Sequence, residues 1–253
     1  STHEASLDVA SMASSSTKVF LLEVMGRHAG WLAASAGIIK KTNNTPPHII
    51  LLPEVTFNLK KFLSEVKKTV SNNGYCVIVA SEGIRDNKNN FIAASDTKDS
   101  FGHAHLGGVA PKLSKIITNK LNYKVHWAVS DYLQRAARHI ASDVDVKQAY
   151  AVGYKSLNYA KAKISGVMLT INKRNTATYK WDIGYTKLEN VANVEKVLPK
   201  SYISENGFGI TSKCKNYIKN LVQGENYPPY LDGMPDYAKL KHPLIRKKLK
   251  KFS

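Results

Sequence analysis

Short apolar runs alternate with longer amphipathic segments in the first half of the chain. Runs at 19–24, 48–52, 75–80 and 123–129 have the composition of strands buried on both faces of a sheet. Segments at 1–13, 28–41, 59–70 and 111–121 predict helices, and Asn58 is the predicted N-cap of the third. This alternation predicts an α/β fold with a central, mostly parallel sheet.

The second half of the chain predicts a less regular arrangement. The predicted elements are a polar loop at 85–108, a helix at 142–162, an antiparallel pair of strands at 167–171 and 176–185, and a helix at 211–222. Asp143 and Asp145 lie near the start of the longest predicted helix, where carboxylates suit the helix dipole. Composition alone marks no repeat and no domain boundary.

The turn after the first strand carries the first candidate chemistry. Met25, Gly26 and Arg27 follow that strand and precede a segment of helical composition. Ligands of open α/β sheets bind at the carboxyl ends of strands, and helix N-termini favour anions. The planar fork of an arginine suits a phosphate at such a place. The same spacing also fits a solvated arginine in an ordinary turn.

Polar side chains also follow two later strands. Glu82 comes directly after the strand at 75–80, and Tyr132 and Arg135 follow the strand at 123–129. A carboxylate accepts hydrogen bonds from sugar hydroxyls, an arginine neutralises a phosphate, and a tyrosine hydroxyl donates a hydrogen bond. Taken singly, each of these residues is equally compatible with an ordinary loop.

Three strings in this order resemble the 6-phosphofructokinase family: Glu-Val-Met-Gly-Arg-His-Ala-Gly-Trp at 23–31, Ser-Glu-Gly at 81–83 and Tyr-Leu-Gln-Arg at 132–135. The stretches at 11–18, 228–230 and 233–237 resemble the pyrophosphate-dependent branch of that family. The resemblance implies a phosphofructokinase-like three-layer α/β/α fold with two lobes, one of them incomplete. It places 1–130 in the sugar-phosphate-binding lobe. It places 131–253 in the remainder of the phosphate-donor lobe and a carboxyl-terminal segment.

The resemblance also implies roles for individual residues. The complete enzyme would phosphorylate fructose 6-phosphate to fructose 1,6-bisphosphate in glycolysis, and Arg27 would stabilise charge on the transferring group. The implied substrate-binding residues are Met25, Gly26, Arg27, Glu82, Tyr132, Leu133, Gln134 and Arg135. Lys18 would reach the sugar phosphate of a neighbouring subunit's site, although an exposed lysine also fits its position. The family forms dimers and tetramers, so a homodimer or homotetramer is expected.

Two positions depart from the family pattern. His126 stands where an arginine is usual, and Asp131 stands where a glycine is common, just ahead of Tyr132. A histidine contacts phosphate only weakly unless it is protonated, and an aspartate repels an anion. These departures keep a second hypothesis open, in which the chain is a catalytically silent sugar-phosphate-binding relative or one component of a split enzyme.

Two strings of the family pattern do not occur in this sequence. One is the Gly-rich donor loop with its Gly-Gly-Asp or Gly-Gly-Gly choice, and the other is the Thr-Ile/Val-Asp-Asn-Asp string that carries the catalytic base. General-base catalysis is worth roughly two to four powers of ten, so the chain alone is expected to be inactive. The donor, pyrophosphate or ATP, and the accompanying Mg²⁺ would be bound mostly by groups outside this chain. Thr17 and Lys18, which precede the first of the three strings, favour pyrophosphate as the phosphate donor.

Composition and charge narrow the classes of protein to which the chain can belong. No apolar run approaches the roughly 20 residues that span a bilayer, so no membrane association is predicted. Cys76 and Cys214 are too few for a disulfide framework and fit a reducing cytoplasm. Cys76 lies in an apolar run and is predicted to be a buried hydrophobic residue. His103 and His105 have no further ligands nearby in the sequence, so no metal site is predicted there.

The net charge of +18 is compatible with one further class, the nucleic-acid-binding proteins. Lysines and arginines cluster at 233–253, and such a basic segment binds nucleic acid in some proteins. No recognised nucleic-acid motif accompanies it, and its resemblance to the family's carboxyl terminus makes it part of the fold. A basic nucleic-acid-binding protein is therefore the least favoured alternative.

Overall fold

The computed structural model describes residues 1–42, 44–98, 104–176, 178–241, 243–244 and 246–249, with the backbone alone at 95–98 and 104–105. The helices are α1 (Thr2–Met12), α2 (Trp31–Ser35), α3 (Leu59–Asn73), α4 (Val109–Leu121), α5 (Asp131–Ala136), α6 (Asp143–Lys161) and α7 (Ser212–Lys219). The strands are β1 (Val19–Val24), β2 (Ile49–Leu51), β3 (Cys76–Ser81), β4 (Ala94–Lys98), β5 (Ala104–Leu106), β6 (Val125–Val129), β7 (Val167–Lys173), β8 (Trp181–Lys187), β9 (Tyr230–Leu231) and β10 (Met234–Pro235). Short 3₁₀ helices lie at Ala36–Ile39, Arg138–Ile140, Leu188–Asn190 and Lys200–Tyr202.

A four-stranded parallel sheet organises the first half, in the order β2-β3-β1-β6. Because the strands run in the same direction, their carboxyl ends lie at one edge. β1 is central and pairs with β3 and β6 over nearly its whole length. The prediction of a mostly parallel α/β sheet is confirmed. Among the described residues, no helix is both long enough and apolar enough to cross a bilayer.

Helices cover both faces of this sheet, which gives the predicted three layers. Alternate strand residues such as Leu21 and Ile78 pack with α3 and α4 in one buried cluster. Their neighbours Leu22 and Val79 pack with α2 and α7 in a second cluster. This alternation follows from the two-residue period of a strand, because successive side chains point to opposite faces. Helix α7 therefore returns to the sheet from the far end of the chain, and the boundary expected near residue 130 stays a prediction.

Most predicted elements occur within a few residues of their expected limits, and two predictions were wrong. The helix expected over 28–41 begins at Trp31 and becomes 3₁₀ at Ala36, because the residues before Trp31 form a loop over the sheet edge. The loop expected over 85–108 contains the antiparallel pair β4 and β5. Its polar composition disfavours strands, and antiparallel pairing between the two neighbouring short segments overrides that preference. His103 and the side chain of His105 lie outside the described residues.

The predicted cap and the predicted buried thiol are confirmed. The Asn58 side chain accepts a hydrogen bond from the Lys61 amide at 3.0 Å and caps α3. Cys76 is fully buried, and burial raises the pKa of its thiol above the ordinary value. A thiol with a raised pKa carries little thiolate, so Cys76 acts as a hydrophobic residue.

A buried carboxylate joins β1 to the amino end of α4. Glu23 is only 1% exposed, and its side chain accepts hydrogen bonds from the amides of Gly108 at 3.0 Å and Ala110 at 2.8 Å. Burial raises the pKa of Glu23, and these backbone donors oppose that rise. A carboxylate at this position satisfies amides that a helix leaves without intrahelical partners.

A buried histidine lies at the start of β2. The Nδ1 atom of His48 accepts a hydrogen bond from the Val77 amide at 3.0 Å, and the ring is 6% exposed. Desolvation, with a smaller contribution from the charge of Lys40, lowers the pKa of His48 to about 4. Protonation in the folded state is therefore unfavourable, whereas an unfolded histidine takes up a proton near pH 6.5.

We predict that His48 makes the folded chain less stable in acid. Between pH 6.5 and about 4 the unfolded chain binds the extra proton, so the free energy of unfolding falls as the pH falls, by up to about 3 kcal/mol for this group. Denaturant titrations at pH 7 and pH 4.5 measure that loss. His48→Asn, which keeps an acceptor for the Val77 amide, should reduce it, whereas His139→Asn at an exposed site should not. Equal pH dependence in the parent and His48→Asn chains would contradict the prediction.

Candidate functional site

Hydrogen bonds link the loops that follow β1 and β3 and the helix that follows β6. The Oε1 atom of Glu82 accepts from the backbone amides of Gly26 and Arg27, each at 3.2 Å. The amide of Met25 donates to Oε1 of Gln134 in α5 at 3.3 Å. Three predicted elements that are far apart in sequence therefore meet at the carboxyl edge of the sheet.

Close backbone approach fixes the loop that carries Arg27. A Cβ atom built on Gly83 would lie 1.4 Å from the carbonyl oxygen of Arg27, so only glycine fits at position 83. Arg27 itself has φ 39°, in the left-handed region that non-glycine residues rarely adopt. The amide of Glu82 also donates to the carbonyl of Val24 at 2.9 Å. The loop after β3 therefore holds the Arg27 turn in place through these close contacts.

Helix α5 carries the third predicted element. The guanidinium carbon of Arg135 lies 4.4 Å from the ring centroid of Tyr132, in a cation–π arrangement. Tyr132 is 62% exposed and Leu133 is 77% exposed, so this part of the site is open. Asp131 has φ 38°, which explains physically why a glycine would suit that position.

A cleft of about 910 Å³ lies beside α5, between α2, α6 and α7. Gln134 and Arg135 line it, whereas Arg27 and Glu82 are not among its lining residues. Arg138 also lines this cleft, and sequence reasoning missed it. Its Nη2 donates to Oδ1 of Asn226 at 2.8 Å, and Nη1 donates to the carbonyl of the same residue. An arginine three residues after Arg135 is the signal that could have identified it.

A larger cavity of about 1000 Å³ lies elsewhere, between the start of α3 and the middle of α4. Apolar side chains form its floor, and Lys60, Lys61 and Lys112 lie around it. None of the predicted site residues lines this cavity. We assign the candidate site to the smaller cleft and the adjoining loops, because Gln134 and Arg135 line the cleft and a hydrogen bond connects Gln134 to the loop of Arg27.

Lys18 and His126 lie at the opposite end of the sheet. Lys18 directly precedes β1, and β1 and β6 are paired so that Phe20 faces His126. Since β1 has six residues, Lys18 is separated from Arg27 by about 20 Å of strand. The Lys18 ammonium donates to the carbonyl of Ala13. The structure therefore does not bring these two residues to the Arg27 loop of the same chain.

A segment from the second half of the chain lies across the loop after Arg27. His28 pairs with Glu195, and Nε1 of Trp31 donates to the carbonyl of Lys196 at 2.6 Å. Glu54 joins the same segments, because its Oε1 accepts from the amides of Gly30 at 2.9 Å and Leu198 at 2.7 Å. A glutamate two residues after the predicted strand at 48–52 was the only sequence signal for this contact.

The described residues do not form a cation cage. No group of three or more His, Cys, Asp or Glu side chains in the described part of the chain converges to hold a metal ion. Mg²⁺ in phosphoryl transfer is usually held by one or two carboxylates together with substrate phosphates. We therefore derive no step through Mg²⁺ from these residues.

A mostly parallel sheet with helices on both faces, and with arginines, a glutamate and a tyrosine near its carboxyl edge, defines the chain as an α/β protein of the open-sheet class. A family model described as Phosphofructokinase matches residues 2–159. This match covers more than half of the chain, so the chain belongs to the phosphofructokinase family.

Relatives within the family are similar over nearly the whole chain. The pyrophosphate–fructose 6-phosphate 1-phosphotransferase of Methylococcus capsulatus is 50% identical over 249 residues, covering 98% of this chain and 59% of the relative. The enzyme of that name from Halomonas elongata is 48% identical over 252 residues, covering 100% of this chain and 60% of the relative. A crystal structure of a pyrophosphate-dependent phosphofructokinase from Marinobacter aquaeolei is 49% identical with a TM-score of 0.87, covering 98% of this chain and 59% of that one. The chain thus spans about 60% of the length of these relatives.

We predict that Gly83→Ala destabilises the chain. The new methyl group would overlap the Arg27 carbonyl, so the two loops must separate and the free energy of unfolding should fall by about 3 kcal/mol or more. Denaturant unfolding at neutral pH measures the change. Gly153→Ala is the matched control, because its Cβ would meet no atom and alanine favours a helix by roughly 0.5–1 kcal/mol. A Gly83→Ala chain as stable as the parent would refute the close approach.

Proposed function

We propose that this chain is the sugar-phosphate-binding part of a pyrophosphate-dependent 6-phosphofructokinase. The complete enzyme would transfer a phosphoryl group to the 1-hydroxyl of fructose 6-phosphate and form fructose 1,6-bisphosphate. The observation that supports this most is the pair of hydrogen bonds from Gly26 and Arg27 to Glu82, with Met25 bonded to Gln134. These contacts place the three family strings side by side at the sheet edge. The reaction in this proposal is the one for which the relatives are named.

Each site residue has a role that its chemistry can perform. Arg27 would stabilise charge on the transferring group, because a guanidinium at a turn forms charge-assisted hydrogen bonds to phosphoryl oxygens. Arg135 would bind the 6-phosphate, and Glu82 would accept hydrogen bonds from sugar hydroxyls. Since Oε1 of Glu82 already accepts from two amides, that carboxylate would also hold the Arg27 turn in place. The remaining pocket residues are Met25, Gly26, Tyr132, Leu133 and Gln134.

Phosphoryl transfer also needs groups that these residues do not supply. Pyrophosphate would be the donor, because the relatives that are 50% and 48% identical over the matched residues are named for it. Mg²⁺ would screen the charge of the phosphates, with most of its ligands outside this chain. The catalytic base would also lie outside it, so Arg27 can stabilise charge in this chain but cannot remove the proton from the sugar hydroxyl. A cytoplasmic location remains a prediction.

Lys18 and His126 would contribute to the site of a neighbouring subunit rather than to the site of their own chain. Both lie near the amino end of the sheet, far from Arg27. In a homodimer or homotetramer that end could face the site of a neighbouring subunit. Lys18 would then contact the sugar phosphate there. His126 would contribute only when protonated.

Asp131 favours a second candidate function. This carboxylate directly precedes Tyr132, and its φ of 38° is a conformation that glycine adopts more easily. A negative charge there opposes an incoming phosphate. In that case the chain would bind a sugar phosphate weakly and act as a silent relative or as one component of a split enzyme.

We predict that fructose 6-phosphate binds this chain through Arg27 and Arg135. Isothermal titration should show Arg27→Ala and Arg135→Ala weakening binding about ten- to a hundredfold, as expected for the loss of charge-assisted hydrogen bonds worth about 1.5–3 kcal/mol. Arg174→Ala is the matched control. That arginine is paired with Asp182 in the β7–β8 hairpin and should leave the affinity unchanged.

Unchanged affinity in both site variants would refute the assignment. For the chain alone we expect no phosphoryl transfer from pyrophosphate, because the base and the donor site lie outside it. A measurable rate in the purified chain would overturn that expectation.

A further inference from the structure

A short segment from the second half of the chain is anchored beside the loop that carries Arg27. Leu198 is only 2% exposed and packs in the second buried cluster, in which α2 and α7 cover the sheet. We call residues 195–198 the clamp segment and residues 25–30 the Arg27 loop. Because a buried leucine attaches its end to the core, the clamp segment has a fixed position next to this loop.

One side chain connects the clamp segment to the Arg27 loop. Oε1 of Glu54 accepts hydrogen bonds from the amides of Gly30 at 2.9 Å and Leu198 at 2.7 Å. A Cβ atom built on Gly30 would lie 2.8 Å from Oε2 of Glu54, so the carboxylate lies directly against the backbone of the loop. Oε2 is buried and has no hydrogen-bond partner among the described residues. The connection through Glu54 therefore depends on a single acceptor atom, Oε1.

Two further contacts attach the clamp segment to this part of the chain. Nε1 of Trp31, at the start of α2, donates to the carbonyl of Lys196 at 2.6 Å. Nδ1 of His28 pairs with a carboxylate oxygen of Glu195. The side chain of Glu195 is 57% exposed, so this ion pair contributes less to stability than the two amide bonds of Glu54.

The backbone of Arg27 needs support on both sides. Its φ of 39° is unfavourable for a residue other than glycine and persists only where surrounding contacts hold the chain. Glu82 holds the amides of Gly26 and Arg27 in the first half of the loop. Glu54 holds the amide of Gly30 at the end of the loop. Loss of this second attachment would therefore let the loop leave the conformation that Arg27 adopts.

We propose that Glu54 and the clamp segment act as positioning groups for Arg27. Since Oε1 of Glu54 already accepts from two amides and Oε2 is buried, Glu54 acts through the backbone of the Arg27 loop rather than on a ligand. An arginine that extends from a fixed backbone loses less conformational freedom when it binds a phosphate. A displaced backbone would misalign its charge-assisted hydrogen bonds. The inference rests on the proposed function in taking the ligand of Arg27 to be a sugar phosphate.

Substitutions of Glu54 test this role by isothermal titration with fructose 6-phosphate. Glu54→Ala removes the acceptor of both amides and should weaken binding about tenfold. Glu54→Gln keeps Oε1 as an acceptor and should bind within about threefold of the parent chain. Glu189→Ala is the matched control, because that carboxylate pairs with the neighbouring Lys187 at 3.4 Å and should leave the affinity unchanged. An equal loss of affinity in Glu54→Ala and Glu54→Gln would overturn the proposal.

A variant at an exposed position keeps the test decisive if Glu54→Ala does not fold. Glu195→Ala removes the partner of His28 at a side chain that is 57% exposed, so the variant should fold as the parent does. It should weaken binding about two- to fivefold, as expected for the loss of a partly exposed ion pair. If Glu54→Ala is unfolded, unchanged affinity in Glu195→Ala would overturn the proposal.

Hydrogen exchange measured by nuclear magnetic resonance tests the position of the loop without a ligand. The amides of Gly26 and Arg27 are bonded to Glu82, which Glu54→Ala leaves in place. Their exchange should become about fivefold faster or more in Glu54→Ala, whereas the amides of β3 should exchange as in the parent chain. Equally faster exchange in β3 would assign Glu54 to the stability of the whole chain and overturn the positioning role. Unchanged exchange at Gly26 and Arg27 would also overturn it.

The two readouts distinguish failure of this inference from failure of the proposed function. A parent chain that does not bind fructose 6-phosphate, with faster exchange at Gly26 and Arg27 in Glu54→Ala, would count against the proposed function and support the positioning role. A parent chain that binds fructose 6-phosphate as tightly as folded Glu54→Ala does would support the proposed function and refute the positioning role.

Discussion

One carboxylate oxygen connects the loops on which the candidate site depends. Oε1 of Glu82 accepts two backbone amides from the Met-Gly-Arg turn, and the adjacent Gly83 lets the Arg27 carbonyl come close. These contacts fix the backbone of the Arg27 turn and therefore the point from which the arginine side chain extends. Glu82 is therefore both a candidate ligand and a structural element of the site.

Carboxylates elsewhere in the molecule serve as acceptors for backbone amides. Glu23 satisfies amides at the start of α4, and Glu54 accepts from Gly30 and Leu198. Each joins segments that are far apart in sequence. In a chain with net charge +18, acidic side chains at these points stabilise the fold where a cation would leave amides unpaired.

The two halves of the chain are stabilised differently. The sheet of β1, β2, β3 and β6 is covered by helices on both faces and contains the described hydrophobic core. Helix α6 and its hairpin have their hydrogen bonds but almost no buried apolar surface. Backbone pairing specifies their shape, whereas stability requires burial, because ordering a chain costs conformational entropy that hydrogen bonds alone do not offset. This chain, which spans about 60% of the length of its relatives, thus contains one sheet with helices packed on both faces and one region without a described hydrophobic core.

The sequence by itself determined most of the elements and the family. Continuous apolar runs identified β1 and β3 because both faces of these strands are buried, and Asn58 marked the start of α3 through its capping side chain. The strings around Arg27, Glu82 and Arg135 were recognisable because they are local. Tertiary structure alone decided which distant groups meet: the Glu82 bonds, the Glu54 contacts, the role of Arg138, and the placement of Lys18 and His126 at the other end of the sheet. Strand order and register bring these groups together or apart, and no local pattern of residues encodes either one.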